Sequence, residues 1–497
     1  MASGSLPRIV RASGCAAAVA LASPGATRAA DTAGFPDLRD PPTFVSQDRT
    51  LTANLTATAQ DVTIGPVTFP GIVYNGTYAA PVLRVWPGDR MLVRINNNLA
   101  EPTNIHYHGI HTSPLGNSDN IHIVVPPNGS FLYSVAIPDH QPPGLYLYHA
   151  HLHGLSENQV MSGLSGALMV EGFTQQFPAL EGITERLMVL KEYDFPDSDD
   201  PITDGQLHGR LLTVNGEPAV TIPLRPHETQ LWHLGNMSAD FIIHLALPNH
   251  HFRIIGEDGV ARLNERVTDV LDLEPAGRME VLVDAGDAGR YDLIAKSVLT
   301  GSDRVRVMGH VAVAGEPARP VTTLAVFPPR EDLRSARIDA TRTISFTQDN
   351  DTEQYFINGK KYDHDRIDVR IPLGATEEWI VRNDSDDFHE FHIHQVHFQV
   401  IAINNEPVAF DGYRDVVRVP ERGSVTIRMA FTDPRIVGTF VYHCHVLKHE
   451  DKGMMGNAEV YDPAAAPRHT FLPNVLLRFV KLFRGNENVL PYTYCGL

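Results

Sequence analysis

The strongest constraint on the fold is a unit of about 140 residues that occurs three times along the 497-residue chain. Each copy contains an Asn-Gly dipeptide, and Asn75-Gly76, Asn215-Gly216 and Asn358-Gly359 are 140 and 143 residues apart. Asn-Gly between apolar runs is a strong short-range sign of a β-hairpin, and recurrence at a fixed spacing indicates repeated structural units. We therefore predict three copies of one β-rich domain.

Within each copy, apolar and polar residues alternate in short runs separated by Gly, Pro and Asn. Matching glycines, Gly144, Gly289 and Gly438, begin one such run in each copy. Alternation with a period of two predicts β-strands, and units of this length with tight turns are typical of Greek-key β-sandwiches. We predict an all-β fold of three consecutive Greek-key β-sandwich domains. The predicted ranges are 1–39 for a leader and N-terminal arm, then 40–172, 173–317 and 318–497 for the domains.

Charge and apolar content exclude several classes of protein. The formal net charge is −18, which excludes a nucleic-acid partner because the phosphate backbone is itself negative. Hydrophobic residues make up 43% of the chain, enough for sizeable cores. No stretch reaches the roughly 20 apolar residues that are needed to span a bilayer. We expect a folded monomer with no membrane span.

The first 30 residues are typical of a secretory leader, with two arginines before a short apolar run at 15–22. This pattern predicts export to the periplasm or the exterior; the alternative is a disordered, Ala-rich N-terminus. The mature chain would keep Cys444 and Cys495. Because Cys444 lies between two histidines, where a metal would need its thiolate, we expect no disulfide.

Many of the 24 histidines lie in His-x-His pairs. The first and third units each carry two pairs at equivalent places, and these pairs are His106/His108, His149/His151, His392/His394 and His443/His445. Residues i and i+2 of a strand face the same side, so eight imidazoles are expected to converge between the two units. Imidazole binds Cu, Zn, Fe and Ni, and eight exceed the needs of one zinc, so we predict a metal cluster. The alternative, satisfied core histidines, suits one histidine better than four pairs in register.

The second unit is predicted to be a spacer. It has Ile294 and Lys296 where the other units carry their later pair. Histidines outside the pairs and the ligand set below, including His111, His153 and His397, are interpreted as structural or exposed.

A second ligand set surrounds Cys444, the residue between the last two paired histidines. Two imidazoles, one thiolate and a weak axial thioether form a blue-copper electron-transfer site. His389, Cys444, His449 and Met454 supply that set. The position of Cys444 predicts a short covalent path from this site to the cluster.

Together these motifs resemble those of the multicopper oxidases, the laccase-like family of three cupredoxin domains. The motifs span nearly the whole mature chain, and they are His106-Tyr107-His108-Gly109, His149-Ala150-His151, the run from His389 to His394 and the run from His443 to Met454. The resemblance implies four copper ions: one type 1, one type 2 and two type 3. It makes His106 and His392 the type 2 ligands. The type 3 ligands it implies are His108, His149, His151, His394, His443 and His445.

Acidic residues beside the ligands are the candidate catalytic groups. The final motif, in which Glu450 and Asp451 follow His449, is similar to that of bacterial spore-coat laccases. The resemblance implies that Glu450 relays protons in the oxygen channel and that Asp119 is the carboxylate near type 2 copper. The alternatives are a surface acid and a turn-forming aspartate. Glu390 departs from the usual Pro of the family and puts a charge beside a type 1 ligand.

The resemblance implies an oxidase that couples one-electron oxidation of a donor to the reduction of O2 to water. Phenols and aromatic amines are the expected donors. A Cu(I) or Mn(II) oxidase is the alternative; a dedicated Cu(I) enzyme is disfavoured because there are 11 methionines and residues 318–442 contain only Met429. A non-catalytic periplasmic copper-binding or scaffold relative is less favoured, because no ligand is lost. The triplet His443-Cys444-His445 argues against a copper nitrite reductase.

Overall fold

The computed structural model describes residues 34–194, 210–298 and 305–465, and most of their regular structure is β-strand. The described strands form six sheets, two in each of three successive parts of the chain. The predicted all-β fold of three cupredoxin-like Greek-key sandwiches is confirmed. The predicted leader and Cys495 lie outside the described residues, while Cys444 is a free, buried thiol. The boundaries at 40–172, 173–317 and 318–497 stay predictions.

The first domain is built from a sheet of order β3-β2-β5-β7 and a sheet of order β1-β4-β9-β8-β6. Its strands are β1 (Thr43–Val45), β2 (Thr50–Ile64), β3 (Val67–Tyr74), β4 (Val82–Val85), β5 (Arg90–Asn97), β6 (His106–His108), β7 (Ser130–Ala136), β8 (Gly144–His149) and β9 (Ser165–Val170). A short helix, α1 (Ser156–Met161), lies between β8 and β9. Two single 3₁₀ turns follow the domain, at Thr174–Gln176 and Pro178–Leu180.

The second domain has sheets of order β11-β10-β13-β18-β15-β16 and β12-β20-β19-β14-β17. Its strands are β10 (Thr184–Asp194), β11 (Arg210–Val214), β12 (Val220–Leu224), β13 (Thr229–Asn236), β14 (Ile242–Ala246), β15 (Phe252–Glu257), β16 (Val260–Thr268), β17 (Val270–Leu273), β18 (Arg278–Asp284), β19 (Gly289–Val298) and β20 (Arg306–Val313). The connection from 314 to 332 has no strand, and its Leu324 packs in the cluster of Phe173 and Phe177.

The third domain has sheets of order β22-β21-β24-β29-β26-β27 and β23-β31-β30-β25-β28. Its strands are β21 (Ala340–Asp349), β22 (Gln354–Ile357), β23 (Val369–Pro372), β24 (Thr376–Asn383), β25 (His389–Ile393), β26 (Gln399–Ile403), β27 (Glu406–Pro407), β28 (Val416–Val419), β29 (Ser424–Ala430), β30 (Gly438–Cys444) and β31 (Met455–Tyr461). A short helix, α2 (Leu447–Asp451), joins β30 to β31, and 3₁₀ turns lie at Leu333–Ser335 and Pro434–Ile436.

The Asn-Gly repeat corresponds to the same hairpin in every domain. In the first hairpin Asn75 and Gly76 both have positive φ, 52° and 79°, which Gly adopts freely and Asn tolerates. The Asn75 Oδ1 accepts the N–H of Thr56 on the partner strand at 2.8 Å. Asn215 and Asn358 accept matching N–H groups at 2.7 Å each. A side chain that caps the neighbouring strand explains why Asn precedes Gly in all three copies.

Each domain has its own apolar core, and the domains also pack on one another. Trp232 and Trp379, at equivalent strand positions, are fully buried in the cores of the second and third domains. A further apolar cluster joins Leu145 of β8 to Met237 of the second domain and Val416 of the third. This cluster packs the three domains against one another. No helix among the described residues is long and apolar enough to cross a membrane.

Candidate metal centres

Four strands bring the His-x-His pairs together between the first and third domains. Strand β6 pairs with β8 so that His106 lies opposite His149, and β25 pairs with β30 so that His392 lies opposite His443. Across the domain boundary the rings stack: His108 on His392 with centroids 3.8 Å apart, and His106 on His394 at 3.7 Å. All eight imidazoles are buried. This cluster of eight, hereafter the inner pocket, matches the convergence that strand alternation predicted.

Within the inner pocket the ring nitrogens and carboxylate oxygens form groups whose ligand atoms lie within 4.8 Å of one another. The all-histidine groups are His106, His108 and His392; His108, His149 and His445; and His151, His394 and His443. In the last group the Nε2 of His443 is 3.2 Å from the Nε2 of both other rings. Two nitrogens about 2.0 Å from one tetrahedral metal ion lie about 3.3 Å apart, so the spacing fits a metal ion.

Burial keeps these imidazoles neutral, which is the form that binds metal. Desolvation lowers the pKa of His149 and His443 to about 4 and that of His151 to about 3. The pKa values of the other five are also lowered by burial. An uncharged ring leaves one nitrogen lone pair free for coordination.

In several of these rings one nitrogen is hydrogen-bonded to a backbone carbonyl, which leaves the other nitrogen available for a metal ion. The Nδ1 of His149 is 2.9 Å from the carbonyl of Ala150, and that of His392 is 2.7 Å from the carbonyl of Asp415. The Nε2 atoms of both rings are buried without a hydrogen-bond partner among the described residues. Orphaned buried nitrogens that converge on a small space fit the copper ions that the motifs imply.

Asp119 lies beside the inner pocket, and its Oδ1 is 3.0 Å from the Nδ1 of His106. Its carboxylate also accepts the N–H of Tyr107 at 2.9 Å and the amide of Gln395 at 2.6 Å. Burial raises the pKa of Asp119 to about 8, although these two donors act to lower it. Because Asp119 accepts from the Nδ1 of His106, the unpartnered Nε2 of that ring is left for a metal ion.

Glu450 lies on the other side of the inner pocket and is buried. Its Oε2 is 3.1 Å from the Nδ1 of His443, and its Oε1 is 3.5 Å from the Nδ1 of His151. Ser156 of α1 donates a hydrogen bond to Oε1 at 3.0 Å. Burial raises the pKa of Glu450, while His151 and Ser156 act to lower it. The surface-acid interpretation of Glu450 is therefore wrong.

The cysteine set forms a second pocket, hereafter the outer pocket, within the third domain. The Sγ of Cys444 is 3.6 Å from the Nδ1 of both His389 and His449, and these two nitrogens are 3.0 Å apart. The main chain of Met454 bonds to both Cys444 and His449, and its side chain belongs to the same apolar cluster as Cys444. Burial raises the pKa of the Cys444 thiol, so a bound cation is needed to keep it as thiolate.

Exposure differs among the ligands of the outer pocket. His449 is partly exposed, whereas His389, Cys444 and Met454 are buried. Tyr355 stacks on the ring of His449 with centroids 4.2 Å apart and rings inclined by 21°. The outer pocket therefore meets solvent at one imidazole edge.

Glu390, next to His389, is buried, and both of its carboxylate oxygens lack a hydrogen-bond partner among the described residues. Burial raises its pKa well above the usual range, with a further contribution from Glu274. The neutral acid is therefore favoured, in place of the charge that the sequence suggested. Its main chain links the pockets, since its N–H contacts the Cys444 Sγ at 3.5 Å and its carbonyl accepts the N–H of His445 at 2.8 Å.

Sequence reasoning missed several groups that support the ligands. They carry no motif, and each contacts a group that is far away in the chain; they are Arg278, Asp415, Gln395, Ser156 and Tyr355. His111 and His397, interpreted as structural, contact one another outside the two pockets, and His397 Nε2 is 3.6 Å from Asp415. Asp415 precedes an apolar strand, and nothing in the neighbouring sequence indicates that it contacts Arg278 or His108.

Comparison with known proteins gives a consistent result. Three family models described as multicopper oxidase match residues 56–174, 191–315 and 335–464. The chain is 26% identical over 402 residues to the multicopper oxidase mco of Staphylococcus haemolyticus, covering 78% of this chain and 83% of that protein. It is 25% identical over 471 residues to the laccase of Bacillus subtilis, covering 78% and 90%. The solved multicopper oxidase of Campylobacter jejuni, described as a metallo-oxidase, is similar with a TM-score of 0.74 and 25% identity, covering 86% of this chain and 96% of that one.

Proposed function

Because this chain belongs to the multicopper oxidase family, we propose that it oxidises phenolic or aromatic amine donors one electron at a time and reduces O2 to water with four copper ions. The observation that carries the proposal is the arrangement of the two pockets. The consecutive residues His443, Cys444 and His445 join the two pockets, with both histidines in the inner pocket and Cys444 in the outer one, and His449 is the partly exposed ligand. Such an arrangement accepts electrons at the surface and delivers them to a buried site.

In this proposal each ligand has a distinct role. The outer pocket holds type 1 copper through His389, Cys444, His449 and Met454. His106 and His392 hold type 2 copper, and the type 3 pair is held by His108, His149, His151, His394, His443 and His445. Copper supplies the one-electron chemistry and the binding of O2 that no side chain provides. The protein supplies the ligand geometry, a short path between the pockets and exclusion of bulk water from the inner pocket.

Protons for water formation come, in this proposal, from Glu450 and Asp119. Both carboxyl groups are buried beside ligands of the inner pocket, and burial raises the pKa of each, to about 8 for Asp119. A carboxyl group with a raised pKa keeps its proton to higher pH than an exposed one and can release it to a nearby acceptor. Glu450 is the better donor because its Oε2, although 3.1 Å from the Nδ1 of His443, makes no hydrogen bond to the described residues, whereas both oxygens of Asp119 accept hydrogen bonds.

The methionines favour an organic donor over Cu(I). Soft thioethers are the ligands that suit Cu(I). Ten methionines lie in the described residues; nine are buried, including Met429, and Met161 is partly buried. The described surface therefore offers no thioether cluster near His449. A Mn(II) or Cu(I) oxidase is the second candidate, and the metallo-oxidase of Campylobacter jejuni is the observation that favours it.

Function is tested on the copper-loaded full chain. We expect four copper ions per chain, a blue thiolate absorption, and O2 uptake with phenols and aromatic amines at four donor electrons per O2. Cu(I) and Mn(II) are assayed in parallel, and Cys444→Ser controls for adventitious copper. Uptake with the metal ions alone would identify a metal-ion oxidase. Copper binding without O2 uptake on any donor would favour the non-catalytic alternative.

Export is part of the same proposal. The leader pattern of residues 1–30 supports it. Secretion of the full chain from its native host, followed by N-terminal sequencing of the released protein, tests it. An intact N-terminus on protein recovered from inside the cell would contradict export.

A further inference from the structure

The second domain carries none of the proposed copper ligands, yet one of its side chains reaches the ligands of the inner pocket. Arg278, at the start of β18, is fully buried. Its Nη1 and Nη2 donate to the two carboxylate oxygens of Asp415 at 2.8 and 2.7 Å. It also donates to the carbonyls of Ala276 at 2.7 Å and Leu145 at 3.2 Å, and its Nη1 lies 3.4 Å from the Oδ1 of Asp258. The guanidinium thus connects all three domains.

Asp415 in turn contacts two ligands that belong to different copper groups. Its Oδ1 lies 3.1 Å from the Nε2 of His108, and its main-chain carbonyl lies 2.7 Å from the Nδ1 of His392. The Asp415 side chain is fully buried. A buried carboxylate needs a balancing charge, and the bidentate guanidinium of Arg278 supplies it.

His108 is held differently from three ligands that lie beside it. His106, His149 and His392 are bonded through Nδ1, which leaves Nε2 for a metal. His108 is bonded through Nε2, and its Nδ1 is the buried nitrogen without a partner. An ionised carboxylate accepts only, so it selects the tautomer that carries its proton on Nε2 and keeps the Nδ1 lone pair free.

The backbone next to His108 is shaped to allow this contact. A Cβ on Gly109 would lie 2.4 Å from the Asp415 Oδ2, and Gly109 has a φ of +84°, where side chains are disfavoured. The absence of a side chain lets the carboxylate approach the His108 strand end closely.

We infer that Arg278 and Asp415 form a positioning pair that fixes His108 with Nδ1 free for type 3 copper, so the copper-free domain takes part in building the copper centre. The inference rests on the proposed function, because it assumes copper in the inner pocket. Loss of a group that orients a metal-binding imidazole commonly weakens metal binding about 10- to 100-fold.

The test compares four variants of the copper-loaded full chain. Asp415→Ala removes the acceptor, Asp415→Asn keeps a neutral acceptor, and Arg278→Met removes the balancing charge. Arg342→Met is the matched control, because Arg342 makes a bidentate pair with Glu377, which contacts no copper ligand. Each protein is titrated with a copper chelator. Copper per chain, the blue type 1 absorption, the near-ultraviolet type 3 absorption and thermal unfolding of the metal-free form are measured.

We expect Asp415→Ala and Arg278→Met to release type 3 copper at about 10- to 100-fold lower chelator concentration while the blue absorption persists. Asp415→Asn should recover part of the loss, and Arg342→Met should keep the wild-type ratio of type 3 to type 1 absorption. An unchanged ratio in Asp415→Ala would overturn the inference. The inference would also be overturned if Asp415→Ala lost both absorptions in parallel and its thermal stability fell as much as that of Arg342→Met. That result would indicate that Arg278 and Asp415 have only a structural role. If the wild type itself binds no copper, the proposed function fails first.

Discussion

The two pockets differ in how much of the molecule builds them. The outer pocket takes all its ligands from the third domain and meets solvent at His449. The inner pocket takes four imidazoles from each of two domains, and its supporting groups include Arg278 of the other domain. A site built within one sandwich depends on local strand geometry, whereas a site between sandwiches also depends on how the domains dock. Variants are therefore expected to affect one pocket without the other.

The largest effect is expected from Cys444→Ser, which removes a ligand of the outer pocket and leaves the ligands of the inner pocket in place. Serine cannot supply the soft thiolate, so the blue absorption and all oxidase activity should be lost. The neighbouring imidazoles His443 and His445 remain, so about three of four copper ions should stay bound. Visible absorption and copper analysis check both results. A variant that stays blue would contradict the assignment of Cys444.

Glu450→Gln should act on the inner pocket alone. The amide keeps the shape but carries no titrating proton, and a positioned acid contributes about 100-fold or more to a proton-dependent step. The blue absorption and anaerobic reduction by donor should be unchanged, while reoxidation by O2 slows by about that factor. Stopped-flow mixing separates the two half-reactions. Slower reduction with normal reoxidation would instead assign Glu450 to donor docking.

Lowering the pH should destabilise the protein mainly through the inner pocket, because that pocket contains more of the buried histidines than the outer pocket does. In the unfolded chain each histidine titrates near 6.5, but burial lowers the pKa of all ten imidazoles in the folded protein. The contribution of these histidines to stability is therefore complete above about pH 6.5, and it is lost as the pH drops toward the folded pKa values, which are about 4 for His149 and His389.

Each such histidine contributes up to about 1.4 kcal/mol per pH unit below 6.5, so ten of them together contribute up to about 14 kcal/mol per pH unit, and the metal-free protein should lose most of its stability between pH 7 and pH 5. Denaturant unfolding at a series of pH values measures the slope. The double variant His389→Gln/His449→Gln should keep most of it, because the inner pocket holds eight of the ten. A slope that disappears in this variant would mean that the outer pocket dominates.

Asp119→Asn should weaken the inner pocket more mildly. The amide can still accept one hydrogen bond, but its NH2 group replaces one of the two oxygens that accept from the Nδ1 of His106 and the amide of Gln395. We expect type 2 copper to be released at about tenfold lower chelator concentration, with type 1 copper unaffected. Electron paramagnetic resonance distinguishes the two. Equal retention in both proteins would leave Asp119 as a turn residue only.

The smallest effect is expected from Met454→Leu in the outer pocket. A thioether stabilises Cu(II), so its loss should raise the type 1 potential by an amount on the order of tens of millivolts or more. Redox titration at the blue absorption measures the change, and Met455→Leu is the matched control because Met455 packs in a different apolar cluster. A rise in the control alone would exchange the roles of the two residues.

Strand alternation and the histidine register were readable in the sequence because both depend on short spacings. The three hairpins with positive φ at Asn75 and Gly76 and their counterparts follow from turn chemistry, which is local. The ligand pairs were found for the same reason, since residues i and i+2 of a strand share a face wherever the strand lies. Asp119 and Glu450 were indicated by the resemblance to multicopper oxidases, and Glu450 also by its place next to His449.

Tertiary structure decided which distant groups meet the ligands and in what ionisation state. The charge suggested for Glu390 became a buried acid with a raised pKa, because desolvation depends on what covers a side chain and not on its neighbours in sequence. Arg278 and Asp415 are 137 residues apart and meet only because three sandwiches dock at one corner. The sequence by itself determined the strands, the spacing of the ligands and the two ligand sets. The packing of the domains decided which nitrogen of His108 is free and how each buried charge is balanced, because those depend on contacts between residues far apart in the chain.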